Sequence, residues 1–388
     1  MLVGSECQTS ATIDRNFSPI ARFSLLSSNT REVLSHTTAM IGLRGGNFSG
    51  SLIEYEMQPA ALERNSTATY LNGGGINAYL SLLRQMQPEL YALIDLDRSA
   101  AAELEIANLN QASWEFEGNR EGGRGQAYNK AQRQLGNRAT GMKSLLRCFA
   151  SQAHTPGPGF KLLDVLGGDG TLTRFCAAQA EPGPDIITAD ISRLMIEACL
   201  AQGICALRQS ATHSLIANNM LDGVLIAYGS HHLVGGERQI AISEAWRTLR
   251  PGGRLVLHDF ETGGATARWF EEVVDPFSRT GHPYPHFSQS EMRSLLSSSG
   301  FAVIDIVQLD DSFTLLGNSP EQARTNAILH MYEMYDLVRL EGHPVNDLAP
   351  LIEDIFGPIT VQPSGQQYLA RIERQALVAV GEKPTRSQ

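Results

Sequence analysis

Residues 161–170 read KLLDVLGGDG, a short apolar run that leads directly into three glycines around Asp169. A strand followed at once by a glycine turn is typical of the first unit of a doubly wound sheet. The runs that follow it are DIITAD (185–190), ICALRQ (204–209), LDGVLIAYG (221–229) and RLVLHDF (254–260). Helical patterns of about ten to fifteen residues separate them, which predicts βαβ units and a parallel sheet.

Two later runs complete the sheet. AVIDIVQL (302–309) and RQALVAVGE (374–382) have the composition of strands. The sequence therefore predicts an α/β fold with a doubly wound, mostly parallel, seven-stranded Rossmann-like sheet over 161–381. Between these two runs lies a long segment with a convincing helix at 319–340. We interpret it as an insertion at about 309–370.

The N-terminal part of the chain is predicted to be mostly helical. Residues 76–96 carry apolar side chains at spacings of three and four, and 127–152 reads as helix again. HTPGPG (154–159) breaks that pattern, so we place one region at 1–155 and the core at 156–388. We expect the helices of 1–155 to act as a lid over the substrate site, together with the insertion. A homodimer interface is the alternative use of their apolar faces.

Composition excludes several classes of protein. The net charge of −10 argues against a general nucleic-acid binder, which needs a basic surface. The five cysteines form no CxxC or zinc framework, so reduced thiols in a cytoplasmic protein are expected. The N-terminal residues contain no apolar signal segment, and no run of about 18 apolar residues could cross a membrane. No membrane partner is expected.

The glycine turn and Asp190 mark a candidate cofactor site. In a doubly wound sheet, ligands bind at the carboxyl ends of the strands, and a helix that follows a glycine turn points free N–H groups at them. Asp190 ends its strand about 20 residues after the glycines, where a carboxylate can accept ribose hydroxyls. As an alternative, Asp190 or Ser192 caps the next helix.

The order DVLGGDG, TADISRLMIEAC, LDGVLIAYGSHHL and EAWRTLRPGGRLVLHDF resembles the class I S-adenosylmethionine-dependent methyltransferases, with RTLRPGG the most specific piece. The family usually has glycine where Leu166 stands, and a leucine there narrows the approach to the cofactor carboxylate. The resemblance implies that the methionine part lies near Asp164, Gly168 and Gly170, the ribose near Asp190, the adenine near Gln209, Ser210 and Ala211, and that Tyr228 and Gly229 lie beside the cofactor. Gly167 and Ile191 are further cofactor-binding candidates.

Histidines follow the fourth and fifth strands. His231 and His232 come after strand four, and His258 and Asp259 end strand five. Imidazoles and a carboxylate from these segments could meet as a mixed nitrogen and oxygen metal site. Pocket lining is the alternative for the first pair, and a hydrogen-bonded strand end is the alternative for the second. Because neighbouring strand residues point to opposite faces, His258 and Asp259 can share an ion only if the strand has ended by Asp259.

Residues 257–287, LHDFETGGATARWFEEVVDPFSRTGHPYPHF, look like the metal-dependent C-methyltransferase domains that build polyketide starter units. Those domains methylate malonyl groups on a carrier protein with a mononuclear iron or manganese site. The resemblance implies metal ligands among His258, Asp259 and the following loop, where His282, His286 and Gln289 compete. An ordinary loop is the alternative for the two histidines.

The sequence is compatible with three functions. The first is a metal-assisted C-methyltransferase of natural-product biosynthesis, with His258 and Asp259 at an ion that stabilises the enolate of a small or carrier-bound acyl or 2-oxo acid substrate. The second is a metal-free O- or N-methyltransferase with His231, His232 or His258 as the base. The third is a cyclase on the same fold. Arg268 and Arg279 could hold a substrate carboxylate, with surface charge as the alternative.

Overall fold

The computed structural model describes residues 61–109, 115–118, 122–150 and 156–385, so the predictions for residues before 61 lie outside it. The described residues form these strands: β1 Lys161–Val165, β2 Asp185–Asp190, β3 Ala206–Arg208, β4 Leu221–Ile226, β5 Leu249–Asp259, β6 Ala302–Asp310, β7 Phe313–Gly317, β8 Thr360–Ser364, β9 Gln367–Ile372 and β10 Gln375–Glu382. Their helices are α1 Ala61–Leu71, α2 Ile76–Met86, α3 Pro88–Tyr91, α4 Ser99–Leu109, α5 Gly125–Ala131, α6 Ala139–Cys148, α7 Thr171–Ala177, α8 Arg193–Leu200, α9 Glu237–Thr248, α10 Ala265–Trp269, α11 Asp275–Phe277, α12 Gln289–Ser298, α13 Pro320–Met334 and α14 Ala349–Phe356.

Seven of the strands form one sheet, in the order β3-β2-β1-β4-β5-β10-β6. The first five pair in parallel, and β10 runs antiparallel between β5 and β6. The strand order reverses between β1 and β4, which places a binding crevice at the carboxyl ends of those strands. The predicted doubly wound, mostly parallel, seven-stranded fold is confirmed.

Alternate residues of the strands pack into two cores, one on each face of the sheet. Leu163 and Leu257 belong to one core, while their neighbours Leu162 and Val256 belong to the other. This two-residue alternation is the geometry of an extended chain, and it assigns each later residue of a strand to a face.

The insertion after β6 has a small sheet of its own. β7, β9 and β8 pair antiparallel in that order, and α13 packs on β7 and β9. The sequence predicts the insertion and a helix there, but not these strands. β8 reads TVQPS and is mostly exposed, so its sequence lacks the apolar alternation that predicts a strand.

Two elements differ in their bounds from those predicted from the sequence. The helical pattern over 76–96 is divided: α2 ends at Met86, and Pro88 opens the separate helix α3 because proline cannot donate to the preceding turn. The strand predicted at 254–260 begins earlier, at Leu249, so RPGG (250–253) lies within β5, which pairs with β4 through a register shift between Leu221 and Gly223.

The described N-terminal helices pack against both the core and the insertion. α5 contacts α8 and α13, and α6 contacts α7 and β6. Gly141 of α6 has no Cβ, and one built there would collide with Asp311 and Tyr228. The glycine therefore permits a close approach between this helix and two buried polar side chains. Among the described helices, none is both long and apolar enough to cross a bilayer.

Candidate active site

The turn after β1 holds a strained backbone. Leu166 has φ +60°, in the left-handed region that side chains rarely adopt, and Gly168 and Gly170 follow at +58° and +78°. The Leu166 side chain lies against Gly229. Leucine therefore keeps the backbone conformation of a glycine turn, and its side chain occupies space at the carboxyl ends of β1 and β4.

Asp190 ties this turn to the end of β2. Its carboxylate accepts hydrogen bonds from the backbone N–H groups of Gly168 (2.9 Å) and Ser192 (2.8 Å). The hydroxyl of Ser192 accepts from Met195 N and caps α8, so the capping alternative holds for Ser192. Burial raises the pKa of Asp190 to about 6, although the two backbone donors oppose this shift.

Asp164 is a second buried carboxylate beside the turn. Burial, followed by the nearby charge of Asp190, raises the pKa of Asp164 to about 7. Gln209, Ser210 and Ala211 follow β3 and line a small gap against β1. The candidate cofactor residues thus lie together along the carboxyl ends of β1, β2 and β3, as the sequence predicts, with Tyr228 and Gly229 following β4.

Residues 115–118 approach this crevice from the N-terminal region. The Ser192 hydroxyl donates to the carbonyl of Phe116 (3.0 Å), and the Glu117 carboxylate accepts from Arg193 N (2.6 Å) and Leu194 N (3.2 Å). Glu117 thereby satisfies free donors at the start of α8. This contact could not be predicted from the sequence, because no local pattern indicates which distant carboxylate will reach a helix start.

A histidine cluster lies beyond β4 and β5. We define it as His231, His232, Asp259, His282 and His286. The Asp259 carboxylate lies 2.9 Å from His231 Nδ1 and 3.4 Å from His286 Nδ1, and it accepts from the Ser230 hydroxyl at 2.5 Å. Two sets of three side chains have the spacing of metal ligands, because in each set one nitrogen or oxygen atom per side chain lies within 4.8 Å of the other two. The first set is His231, His232 and His282, and the second is His231, Asp259 and His286.

Protonation states in this cluster suit metal ligands. Burial lowers the pKa of His232 and of His282, and neighbouring histidines lower both further. Burial alone would raise the pKa of Asp259, but His231 and His286 hold it well below its usual value. Both ring nitrogens of His282 and Nε2 of His286 are buried without a partner in the part of the chain that the structure describes. Neutral imidazoles beside a carboxylate are the donor set of mixed-ligand metal sites.

His258 lies apart from this cluster. β5 continues through Asp259, which pairs with Leu377, so His258 and Asp259 point to opposite faces of the sheet. The structure therefore corrects the predicted ligand set of His258, Asp259, His282 and His286. His258 belongs to neither set of potential ligands, and His231 is common to both.

The face of β5 that carries His258 holds a second group, the arginine cluster. We define it as Arg138, Tyr228, His258, Asp311, His330 and Arg374. Asp311 accepts from the Tyr228 hydroxyl (2.8 Å) and pairs with Arg374 (2.5 Å). The Arg138 guanidinium lies 3.6 Å above the Tyr228 ring, and His258 Nδ1 accepts from Tyr228 N at 3.2 Å.

The two arginines nominated from the sequence lie elsewhere. Arg268 pairs with Glu272 and Asp354, and Arg279 pairs with Asp336. Their charges are balanced at partly exposed positions, which supports the surface-charge alternative. Arg138 and Arg374 were missed, because nothing in the local sequence indicates that helix, core and insertion bury them together.

A cleft of about 360 Å³ reaches the histidine cluster from the loop side. It is lined by Thr262, Gly263, Ala267, Phe270, Glu271, Asp275, His282, Pro283, Tyr284, Pro285 and His286. His282 and His286 therefore connect the cluster with a space that a small molecule could enter.

Comparison with known proteins agrees with the topology. Residues 163–257, which run from β1 to β5, match the family described as Methyltransferase domain. A ubiquinone/menaquinone biosynthesis C-methyltransferase of Burkholderia vietnamiensis is 30% identical over 128 residues, which are 31% of this chain and 52% of that relative. A demethylmenaquinone methyltransferase of Mycobacterium marinum is 34% identical over 106 residues, 27% of this chain and 44% of that relative.

The chain thus spans about half the length of the curated relatives that it matches. Among solved structures, phosphoethanolamine N-methyltransferase 2 of Haemonchus contortus, in complex with S-adenosyl-L-methionine, is 17% identical with a TM-score of 0.42, over 67% of this chain and 56% of that one. A likeness of this extent says nothing about the reaction. The match to the methyltransferase family covers residues 163–257.

Proposed function

We propose that this chain, whose residues 163–257 match the methyltransferase family, uses S-adenosylmethionine to methylate a carbon atom of an activated acyl or 2-oxo acid, assisted by a metal ion. Carbon methylation is supported by the relatives named C-methyltransferases. The substrate is a small molecule or an acyl group on a carrier protein, in natural-product biosynthesis. The observation that carries the proposal is the buried histidine cluster beyond β4 and β5.

The crevice fits S-adenosylmethionine, which supplies the methyl group when it is bound. Asp164 and Asp190 are buried carboxylates with raised pKa values, so a ligand that brings hydroxyl or ammonium donors relieves an unfavourable burial. Gly168 and Gly170 keep the backbone open for a close approach. Leu166 narrows the same approach, which is why we expect the cofactor to bind more weakly here than at an all-glycine turn.

The nitrogen and oxygen donors of the histidine cluster fit a divalent transition metal. The resemblance of residues 257–287 to the metal-dependent C-methyltransferase domains favours iron or manganese. When bound, the ion supplies Lewis-acid stabilisation of negative charge on a carbonyl substrate. Asp259 holds His231 through Nδ1, which fixes the tautomer that leaves Nε2 free as a ligand atom. The unpartnered nitrogens of His282 and His286 complete the donor set.

The second candidate is a metal-free methyltransferase in which His258 is the base. Its Nδ1 accepts from Tyr228 N, so the neutral ring carries its proton on Nε2, and His258 would act as a base only through Nδ1 after Tyr228 N is released. Burial lowers the pKa of His258 to about 4, which keeps the ring neutral at pH 7 but makes it a weak base. These two features favour the metal-assisted candidate over this one.

Metal analysis and methyl transfer on the same preparation test the proposal. The purified protein, analysed by inductively coupled plasma mass spectrometry, is expected to hold about one iron or manganese ion per chain. With methyl-labelled S-adenosylmethionine and a panel of 2-oxo acids and acyl thioesters, we expect label on carbon. Chelation should abolish this transfer, and addition of manganese should restore it.

Two other results decide between the alternatives. Transfer that survives chelation unchanged contradicts the metal and leaves the His258 mechanism. Conversion of a substrate without uptake of the label contradicts methyl transfer altogether and favours the cyclase.

A further inference from the structure

The arginine cluster holds one positive charge more than its buried carboxylate balances. Arg138 and Arg374 are 7% and 3% exposed, and Asp311 is 3% exposed. Asp311 pairs directly with Arg374, whereas within the described residues Arg138 donates only to the Tyr128 hydroxyl (3.3 Å) and stacks on Tyr228. Burying a guanidinium without a carboxylate partner is costly, which points to a missing anion.

Arg138 remains charged in this setting. Burial lowers its pKa, but the nearby Tyr128, Tyr228 and Asp311 raise it by more, so the net shift is upward. A phenol hydroxyl and an aromatic face together do not neutralise a guanidinium. The cluster therefore keeps a net charge that a ligand can balance.

Unused donors indicate where such an anion would bind. Nε of Arg138, Nε of Arg374 and Nε2 of His330 are buried and have no hydrogen-bond partner within the described chain. Their side chains form one contiguous group: Asn137, next to Arg138, contacts the His330 ring at 3.3 Å, and Arg374 lies 4.0 Å from the Phe313 ring that packs on His330. Buried donors of this kind are rare unless something occupies them.

We propose that Arg138 and Arg374 form a subsite for a carboxylate group of the substrate, beside Tyr228. One unbalanced charge suits a carboxylate rather than a phosphate dianion, and a guanidinium binds a carboxylate through two parallel hydrogen bonds. Tyr228 follows β4 next to Gly229, so the carboxylate would sit next to the crevice assigned to the cofactor. The substrate is then an acid that keeps its free carboxylate during the reaction.

The position of the subsite also indicates a role for the insertion, which supplies part of the subsite. Arg138 comes from the turn before α6, whereas Asp311 and Arg374 lie at the two ends of the inserted segment. The subsite is complete only when the N-terminal helices and the insertion close on the core. This inference rests on the proposed function for its substrate, but the binding itself does not require methyl transfer.

Direct binding to the full-length protein, without S-adenosylmethionine, tests the subsite. The probes are pyruvate, acetoacetate and succinate, with pyruvamide as the uncharged match of pyruvate and inorganic phosphate as the competing anion. Isothermal titration calorimetry is expected to detect at least one carboxylate and no pyruvamide. We expect Arg138→Gln and Arg374→Gln to raise the Kd of that carboxylate at least tenfold, and the control Arg371→Gln, at an exposed ion pair with Asp310, to leave it unchanged.

Hydrogen–deuterium exchange of the unmodified protein localises the same binding if either variant fails to fold. Added carboxylate should slow exchange in 135–148 and 368–374. Protection elsewhere, equal binding by Arg138→Gln, binding of pyruvamide, tighter binding of phosphate, or no binding by any of the three acids overturns the subsite. The binding assay contains no S-adenosylmethionine and therefore does not depend on methyl transfer. A preparation that binds a carboxylate here, but transfers no label from S-adenosylmethionine in the separate activity assay, contradicts only the proposed function.

Discussion

The two sides of β5 differ in the chemistry that they bury. One side carries Asp259 and the histidine cluster, in which several imidazoles surround one carboxylate. The other side carries His258 and the arginine cluster, in which two guanidiniums are buried with a single carboxylate, the partner of Arg374. Adjacent residues of a single strand thus enter environments suited to opposite charges, the histidine cluster to a cation and the arginine cluster to an anion.

The two clusters are also assembled from different parts of the chain. The histidine cluster comes from residues 231–286, which belong to the core and one loop. The arginine cluster draws on the turn before α6, on β5, and on the insertion. The proposed metal site therefore lies within the core, whereas the proposed carboxylate subsite also uses residues from the N-terminal helices and the insertion.

The largest expected effect is on the arginine side. Asp311→Asn removes the carboxylate between two buried guanidiniums, and we expect the free energy of unfolding to fall by about 3–5 kcal/mol, as for other broken buried ion pairs. Urea denaturation at pH 7 measures it. Asp310→Asn, at the neighbouring exposed pair with Arg371, is the control and should change stability by less than about 1 kcal/mol. Equal losses of stability in the two variants would contradict the difference between the buried pair at Asp311 and the exposed pair at Asp310.

The second prediction concerns metal affinity on the histidine side. We expect His231→Ala to weaken manganese or iron binding by roughly 100-fold or more, because His231 is common to both sets of ligands. His258→Ala, on the opposite face, should keep the metal. Equilibrium dialysis with metal analysis measures both, and loss of metal from His258→Ala alone would restore the ligand set predicted from the sequence.

Two further variants sharpen this result. His282 belongs to one set of ligands and His286 to the other. Loss of metal from His282→Ala, with retention in His286→Ala, assigns the ion to the set with His232. The opposite result assigns it to the set with Asp259.

The smallest effect is a pH dependence on the arginine side. Burial, and then the charges of Arg138 and Arg374, lower the pKa of His330 to about 3. The unfolded chain therefore binds a proton at His330 between about pH 6.5 and 3 that the folded chain does not, and stability falls as the pH falls through this window. His330→Gln should remove a loss of roughly 2 kcal/mol between pH 6.5 and pH 5.

Urea denaturation at pH 7, 6 and 5 measures the difference between the variant and the unmodified protein at each pH. His343→Gln, at an exposed histidine, is the control. A difference that stays constant with pH would show that His330 does not titrate in this way.

The fold and part of the site follow from the sequence. Alternating apolar runs and glycine turns predict the seven strands, and a strand that ends in Asp190 after KLLDVLGGDG predicts the crevice. These features are local: each depends on a few neighbouring residues. The departure at Leu166 is also visible in the sequence, and the structure adds that this leucine takes the φ of a glycine.

The face of the sheet to which a side chain points cannot be read from the neighbouring residues alone. Whether His258 or Asp259 meets His231 depends on the residue at which β5 ends, and pairing with β10 extends β5 through Asp259. Arg138 and Arg374 are separated by more than half of the chain, so no sequence pattern links them. The strands, the glycine turn and the residue types at the strand ends can all be read from the sequence. Which charges are buried together can be read only from the folded chain, because burial and pairing are set by long-range packing.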